Sequence, residues 1–311
     1  MARIIFLGTG GGYHVVGKQI SASGGIVIQI DDQQYVIDPG PGCLVKAKEY
    51  GVNLRETSAI IVTHNHLGHC NDINAVIDAM TLNGLDKRGI LVTVKGVVEG
   101  FLTDYHKEMV EKLILLEKGK KMGINEVEIE GIESRHDVEN VGLKIITPEF
   151  ILGYISDTKY FKELPDNYKG CDILIINQKL PSEEKSDKNL NGIDTVKIIN
   201  KIKPKLVMIT HFGLKMLKKG PLIEARELQR ATYCQVIAAK DGMIINPTTH
   251  ASKIRQKTLN IFKEGEKEEG KLHVHEEEEV KEKETIEKNE TQQFLDGFQD
   301  IDNYLDDDKD D

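Results

Sequence analysis

Short apolar runs rich in isoleucine and valine recur along the first 250 residues, separated by glycine, proline, asparagine and aspartate. Alternation and β-branched content predict strands at 4–7, 25–30, 34–37, 58–62 and 90–94. Further strands are expected at 126–129, 143–146, 151–155, 173–176 and 206–209. Two last ones, 235–238 and 243–245, flank Ala239-Lys240-Asp241-Gly242, where the Asp-Gly pair predicts a hairpin turn. Apolar positions at helical spacing predict helices over 71–80, 104–117, 194–201 and 221–232, with Pro221 in the first turn of the last. Strands in such number with interspersed helices predict an α/β fold of two packed mixed sheets covered by helices. A strictly alternating parallel sheet fits less well.

The pattern stops near residue 250. Residues 1–250 read as one folded body and 251–311 as an acidic tail in which lysine and carboxylates replace the apolar runs. Such a segment buries too little apolar surface to offset the entropy of ordering it. Near its end Phe294, Leu295, Phe298, Ile301, Tyr304 and Leu305 recur at helical spacing and predict a short C-terminal helix. Gln292, Leu295 and Phe298 resemble a degenerate sliding-clamp-binding motif, with Gln299 where a second aromatic is expected. The broader reading is an acidic amphipathic segment that orders on a protein partner.

Charge follows the same division. The whole chain carries −10, yet residues 262–311 hold 7 lysines against 20 carboxylates, which leaves the body at about +3. A nearly neutral body argues against the broad basic face of a strong nucleic-acid binder. Lys118, Lys120 and Lys121 form a small basic cluster that reads as a solvated helix end. The opening Met-Ala-Arg-Ile-Ile-Phe-Leu-Gly reads as a first strand rather than a signal peptide, and no apolar run approaches the ~20 residues of a membrane span. Four separated cysteines without a Cys-x-x-Cys pair suggest reduced thiols and a cytoplasmic location.

The chemistry concentrates in Thr63-His64-Asn65-His66-Leu67-Gly68-His69, which follows an apolar strand directly. Alternation on an extended backbone sends His64 and His66 to one side. A helix beginning just beyond them brings His69 to the same opening from another direction. Neutral imidazoles are good zinc ligands, and a catalytic zinc needs three protein ligands and an open position.

This stretch resembles the metallo-β-lactamase superfamily, whose signature is His-x-His-x-Asp-His after a strand. The similarity covers residues 1–247 and recurs at Arg135-His136-Asp137, Tyr154-Ile155-Ser156-Asp157-Thr158 and Ile209-Thr210-His211-Phe212-Gly213. Val36-Ile37-Asp38-Pro39-Gly40 resembles the early aspartate-glycine turn that supports the site from behind. The resemblance implies an αββα sandwich. It implies that His64, His66 and His136 hold a first zinc, and that His69, Asp157 and His211 contribute to a second, with Asp157 bridging. Within the superfamily, Phe6-Leu7-Gly8-Thr9-Gly10-Gly11-Gly12 and Thr210-His211-Phe212 look most like the ribonuclease Z and phosphodiesterase branch. The opening glycines by themselves read as a tight turn between strands.

Position 68 departs from the signature. Glycine stands where an aspartate is expected, so the second ion loses a carboxylate while the first ligand set stays complete. Asp72, three residues after His69, is a candidate replacement and equally a helix-start aspartate; Cys70 is a weaker candidate that packing would turn away. The implied function is a metal-dependent hydrolase acting on a phosphodiester or similar ester, nucleic acid included. Asp157 and His211 would sit at the chemistry. The alternative is a metal-stabilised binding or regulatory module with impaired catalysis.

Overall fold

Ile173, Ile175, Leu206 and Met208 belong to one apolar cluster, while their neighbours Leu174, Ile176, Val207 and Ile209 belong to another. Successive side chains of a strand point to opposite faces, so these strands are buried on both sides. The first cluster fills the space between two sheets and continues under the helices on the outer face of the first. The second lies between one sheet and the helices that cover it.

This computed structural model describes residues 2–251, and the expectations for the acidic tail, its terminal helix and its partner motif lie outside them. The first sheet contains β1 (Ala2–Gly8), β2 (Ser23–Ile30), β3 (Gln33–Ile37), β4 (Thr57–Val62), β5 (Ile90–Thr93) and β6 (Lys112–Leu115). The second contains β7 (Lys121–Ile124), β8 (Val127–Glu133), β9 (Val141–Ile146), β10 (Ile151–Ile155), β11 (Ile173–Asn177), β12 (Leu206–Thr210) and β13 (Gln235–Ala238). A final β14 (Ile244–Ile245) returns to the first sheet beside β1. In the first sheet the pairs are antiparallel from β14 to β3 and parallel from β3 to β6. The second runs parallel from β13 to β10 and antiparallel from β10 to β7.

Among the first sheet's strands lie α1 (Tyr13–Gly17), α2 (Cys43–Glu49), α3 (Leu67–Cys70), α4 (Ile73–Thr81), α5 (Lys95–Gly100) and α6 (Asp104–Met109). Buried Cys43 and Ala47 of α2 and Ile73, Val76, Ile77 and Met80 of α4 press onto that sheet. The second sheet is covered by α7 (Leu164–Asn167), α8 (Gly192–Ile202), α9 (Leu214–Lys219) and α10 (Pro221–Thr232), through Leu164, Ile198, Ile199, Met216, Ala225 and Leu228. The layers are therefore helix, mixed sheet, mixed sheet, helix, the αββα sandwich. Among the described residues no helix is long and apolar enough to cross a membrane, and all four cysteines are free.

Three local expectations fail, each for a tertiary reason. The helix over 104–117 ends at Met109, because residues 112–115 form β6 and pair parallel with β5. Their apolar spacing fits either structure, and the open edge of β5 decides. Lys118 and Lys120 consequently lie in the turn between β6 and β7, and Lys121 begins β7, so none of them ends a helix. The Asp241-Gly242 turn makes no hairpin, since β13 pairs with β12 and β14 with β1 in the other sheet. The turn crosses between sheets, and the Asp241 carboxylate accepts hydrogen bonds from the backbone N–H and hydroxyl of Thr9 and from Ala22 N–H at 2.7–2.9 Å. Lastly, the glycine-rich stretch after β1 leads into α1, not directly into another strand.

Candidate metal centre

Strand ends assemble the site. β4 runs into His64, β10 into Asp157 and β12 into His211, while His136 follows β8 and His69 sits on α3. All three of those strands belong to the parallel parts of their sheets, whose carboxyl ends are the usual place for ligands in α/β folds. Backbone contacts stitch the two sheets together here. His64 bridges Asn140 and Gly10 bridges Phe212. Phe212 N–H donates to Thr9 O at 2.7 Å, and Gly11 N–H to Phe212 O at 3.0 Å.

The chain brings together two groups of donor atoms. His64, His66, His136 and Asp157 each offer an atom within 4.8 Å of the others, and so do His69, Asp157 and His211. Asp157 belongs to both. Its Oδ2 lies 3.2 Å from His211 Nε2 and 3.9 Å from His136 Nε2, and its Oδ1 lies 3.9 Å from His69 Nε2. Asn177 Nδ2 donates to Oδ1 at 2.9 Å, and Asn140 Nδ2 holds the Asp157 backbone carbonyl. All six residues named from the motifs thus meet at one place. Cys70 and Asp72 join neither group: the Cys70 thiol contacts His66 O, and Asp72 N–H donates to Pro39 O.

Charge at the site follows from burial and neighbours. Burial, reinforced by His69, pushes His64 well below the ordinary imidazole value, and burial followed by His136 lowers His66. Burial also lowers His211, against the pull of Asp157. His69 goes the other way: burial opposes its charge, but the Asp38 carboxylate raises it above the usual value. For Asp157, burial is outweighed by His211, His69 and His64, which hold it well below the usual carboxylate range. His64, His66 and His211, each lowered, and the ionised Asp157 are in the protonation states a divalent cation requires, whereas His69 would release its proton to bind one.

Two atoms test whether these residues fit an ion. His64 Nε2 and His69 Nε2 are buried and have no hydrogen-bond partner. An orphaned buried polar atom costs about 1–3 kcal/mol. Both belong to rings of the two donor groups, and their other nitrogens are engaged, His64 Nδ1 with Thr63 Oγ1 and His69 Nδ1 with Asp38 Oδ2, each at 3.0 Å. The donor set fits a divalent cation of zinc type.

Behind the rings stands Asp38, buried at 3% exposure. It accepts from Thr63 N–H at 2.7 Å, Thr63 Oγ1 at 2.9 Å and Tyr154 OH at 2.8 Å, besides His69. A carboxylate that fixes a ligating imidazole is worth roughly 10–100-fold in metal affinity. Asp38→Asn should therefore weaken zinc retention about 10-fold at the low end of that range, measured by competition with a chromogenic chelator. Unchanged affinity would show that Asp38 serves the fold only. Asp38 and His211 are also two of the non-glycine residues with left-handed backbones, φ 50° and 63°. That conformation costs on the order of 1–3 kcal/mol each and is characteristic of functional positions.

Gly11 explains part of the opening glycine stretch: a Cβ there would collide with the His211 ring. Gly68 sits in α3 outside the left-handed region, and a Cβ on it would meet only Val16 Cγ2 at 3.5 Å. It lines a cavity of about 20 Å³ with His69, His211, Asp38, Tyr154 and Asn177. Several contributors had no role assigned from sequence. Asp137 Oδ1 lies 3.0 Å from His136 Nε2 and 3.5 Å from His66 Nε2; its place beside a motif histidine was the available signal. Thr63, Asn140, Tyr154 and Asn177 act through bonds across strands, which no local pattern announces.

Comparison with known proteins agrees with this geometry. Residues 33–212 match the family model described as the Beta-lactamase superfamily domain. An uncharacterized protein of Methanocaldococcus jannaschii is 31% identical over 78% of this chain and 93% of its own. The ribonuclease Z of Methanopyrus kandleri is 22% identical over 77% of this chain and 96% of its own. Among solved structures, the metallo-β-lactamase fold protein YhfI from Bacillus subtilis superposes with a TM-score of 0.68 at 19% identity, covering 78% of this chain and 98% of that one. With a family model spanning more than half of its residues and the sandwich and donor groups in place, the chain belongs to the β-lactamase superfamily, in its metallo-β-lactamase-fold form.

Proposed function

We propose that this protein is a zinc-dependent hydrolase of phosphodiester or closely related ester bonds, nucleic acid among the candidate substrates. The observation that carries the reading is the shared Asp157 carboxylate between two histidine groups, two of whose buried nitrogens lack any protein partner. The relative in Methanopyrus kandleri named ribonuclease Z supports the phosphodiester class.

His64, His66 and His136 would hold the first ion together with Asp157, and His69 and His211 would share Asp157 toward a second. When bound, zinc lowers the pKa of water toward neutrality and polarises the bond under attack. The chain supplies the rest. Asp157 is held ionised and is oriented by Asn177, so it would accept a hydrogen bond from an attacking water and orient it for attack. His211, with Nε2 3.2 Å from Asp157 Oδ2, would stand beside it in the second donor group. Asp38 and Thr63 keep the rings of His69 and His64 turned toward the reaction, and no proton need pass through them.

The test uses the full chain. Protein dialysed after zinc loading should retain at least one ion and hydrolyse bis-p-nitrophenyl phosphate. Exhaustive chelation should abolish turnover, and zinc should restore it. Turnover unaffected by chelation would refute the metal mechanism. Retention of zinc with no ester hydrolysed would favour the binding-module reading that Gly68 motivates.

A further inference from the structure

Lys179 lies on the connection after β11, at the edge of the donor groups, yet no motif includes it. Its side chain runs beside the glycine-rich stretch: a Cβ on Gly12 would lie 2.8 Å from Lys179 Cε and 3.4 Å from Nζ. The preceding residue, Gly11, occupies the corresponding place against the His211 ring. From the other side, a Cβ on Gly213 would lie 2.8 Å from Lys179 O and 3.0 Å from Cγ, and Gly213 N–H donates to Lys179 O at 3.0 Å. Lys179 and His211 thus pack against consecutive glycines of the same stretch, Gly12 and Gly11, where a side chain on either would collide.

Several lysines elsewhere on the surface answer a carboxylate. Lys188 faces Asp137, Lys215 faces Glu184, and Lys219 gathers Glu183, Glu224 and Glu227. Lys179 makes no ion pair among the described residues. A partly buried lysine without a carboxylate, packed beside Gly12 and Gly213 next to Gly11 and His211, suits an anion that reaches the second donor group from outside.

We infer that Lys179 binds a non-bridging oxygen of the substrate's phosphate, on the His69–His211 side of the centre. This rests on the phosphodiester reading, because a neutral ester would offer Lys179 no anion.

The experiment compares wild type with Lys179→Met and Lys179→Arg, all zinc-loaded and full length. The probe is inorganic phosphate, titrated calorimetrically, with zinc content and melting temperature measured alongside. The methionine variant should bind phosphate at least ~10-fold more weakly at unchanged zinc content, and the arginine variant within ~3-fold of wild type. For bis-p-nitrophenyl phosphate, KM should rise more than kcat falls in the methionine variant. Equal phosphate affinity in all three proteins overturns the inference, as does a methionine variant whose weaker binding merely tracks lost zinc. Phosphate binding that depends on Lys179 without diester turnover supports the anion site while rejecting the diesterase reading. Diester turnover insensitive to Lys179 does the reverse. Should the methionine variant fail to fold, Lys179→Gln gives the same comparison with a polar replacement.

Discussion

Wild type is expected to retain zinc through dialysis and the His64→Ala, His66→Ala double variant to lose it. These residues supply two of the three imidazoles in the first donor group, and His64 Nε2 is one of the buried atoms without a protein partner. Losing an outer support of a metal ligand costs roughly 10–100-fold in affinity, so losing two direct ligands should exceed ~10³-fold. The fold should survive, because β4, which carries these histidines, is held in the first sheet by the buried Ala59, Ile60, Ile61 and Val62. Atomic emission on the dialysed proteins, with circular dichroism to verify folding, makes the comparison. Equal zinc in both would sink the assignment. Zinc lost only together with secondary structure would call for the single His66→Ala variant, since His66 is the more exposed of the pair and leaves less of a void.

Gly68→Asp is expected to raise occupancy of a second metal and to increase any phosphodiester turnover by at least ~10-fold, about 1.4 kcal/mol of transition-state stabilisation. The second donor group holds His69, Asp157 and His211 and lacks a carboxylate of its own. Gly68 lines the cavity that these residues share, and neither Asp72 nor Cys70 has moved in to replace the missing ligand. Backbone strain is no obstacle, for Gly68 is outside the left-handed region and its added Cβ would make an ordinary contact with Val16. Metal analysis, melting and turnover are measured on both proteins in parallel. A folded variant that gains neither metal nor activity would show that a missing carboxylate at position 68 is not what limits the second group. Two ions already present in wild type would show that the existing ligands suffice.

Much of the site was legible because its chemistry is written in short stretches. His64, His66 and His69 fall within six residues after a strand, and two-residue alternation alone directs the first pair to one side. His136, Asp157 and His211 are single residues in ordinary surroundings, and only resemblance to a family pattern singled them out. Their convergence brings the ends of β10 and β12 and the loop after β8, all in the second sheet, against the end of β4 in the first. The network behind them was less visible still. Tyr154 reaches Asp38 across 116 positions of sequence, and Asn177 reaches Asp157 from the next strand.

By itself the sequence determined the strand periodicity, the number of layers such strands require and the presence of a histidine cluster, since each follows from spacing along the backbone. The tertiary structure decided which strand lay beside which. Residues 112–115 became a strand because β5 offered an open edge, although their spacing suited a helix equally well. The Asp-Gly turn joined two sheets instead of closing a hairpin because β14 found its partner in β1, and Asp241 then spent its carboxylate on Thr9 and Ala22. Lys179 became a neighbour of His211 only when residues 11–12 and 213 closed around both. Local propensities differ by less than ~1 kcal/mol per residue, so a pairing partner far along the chain readily overrides them.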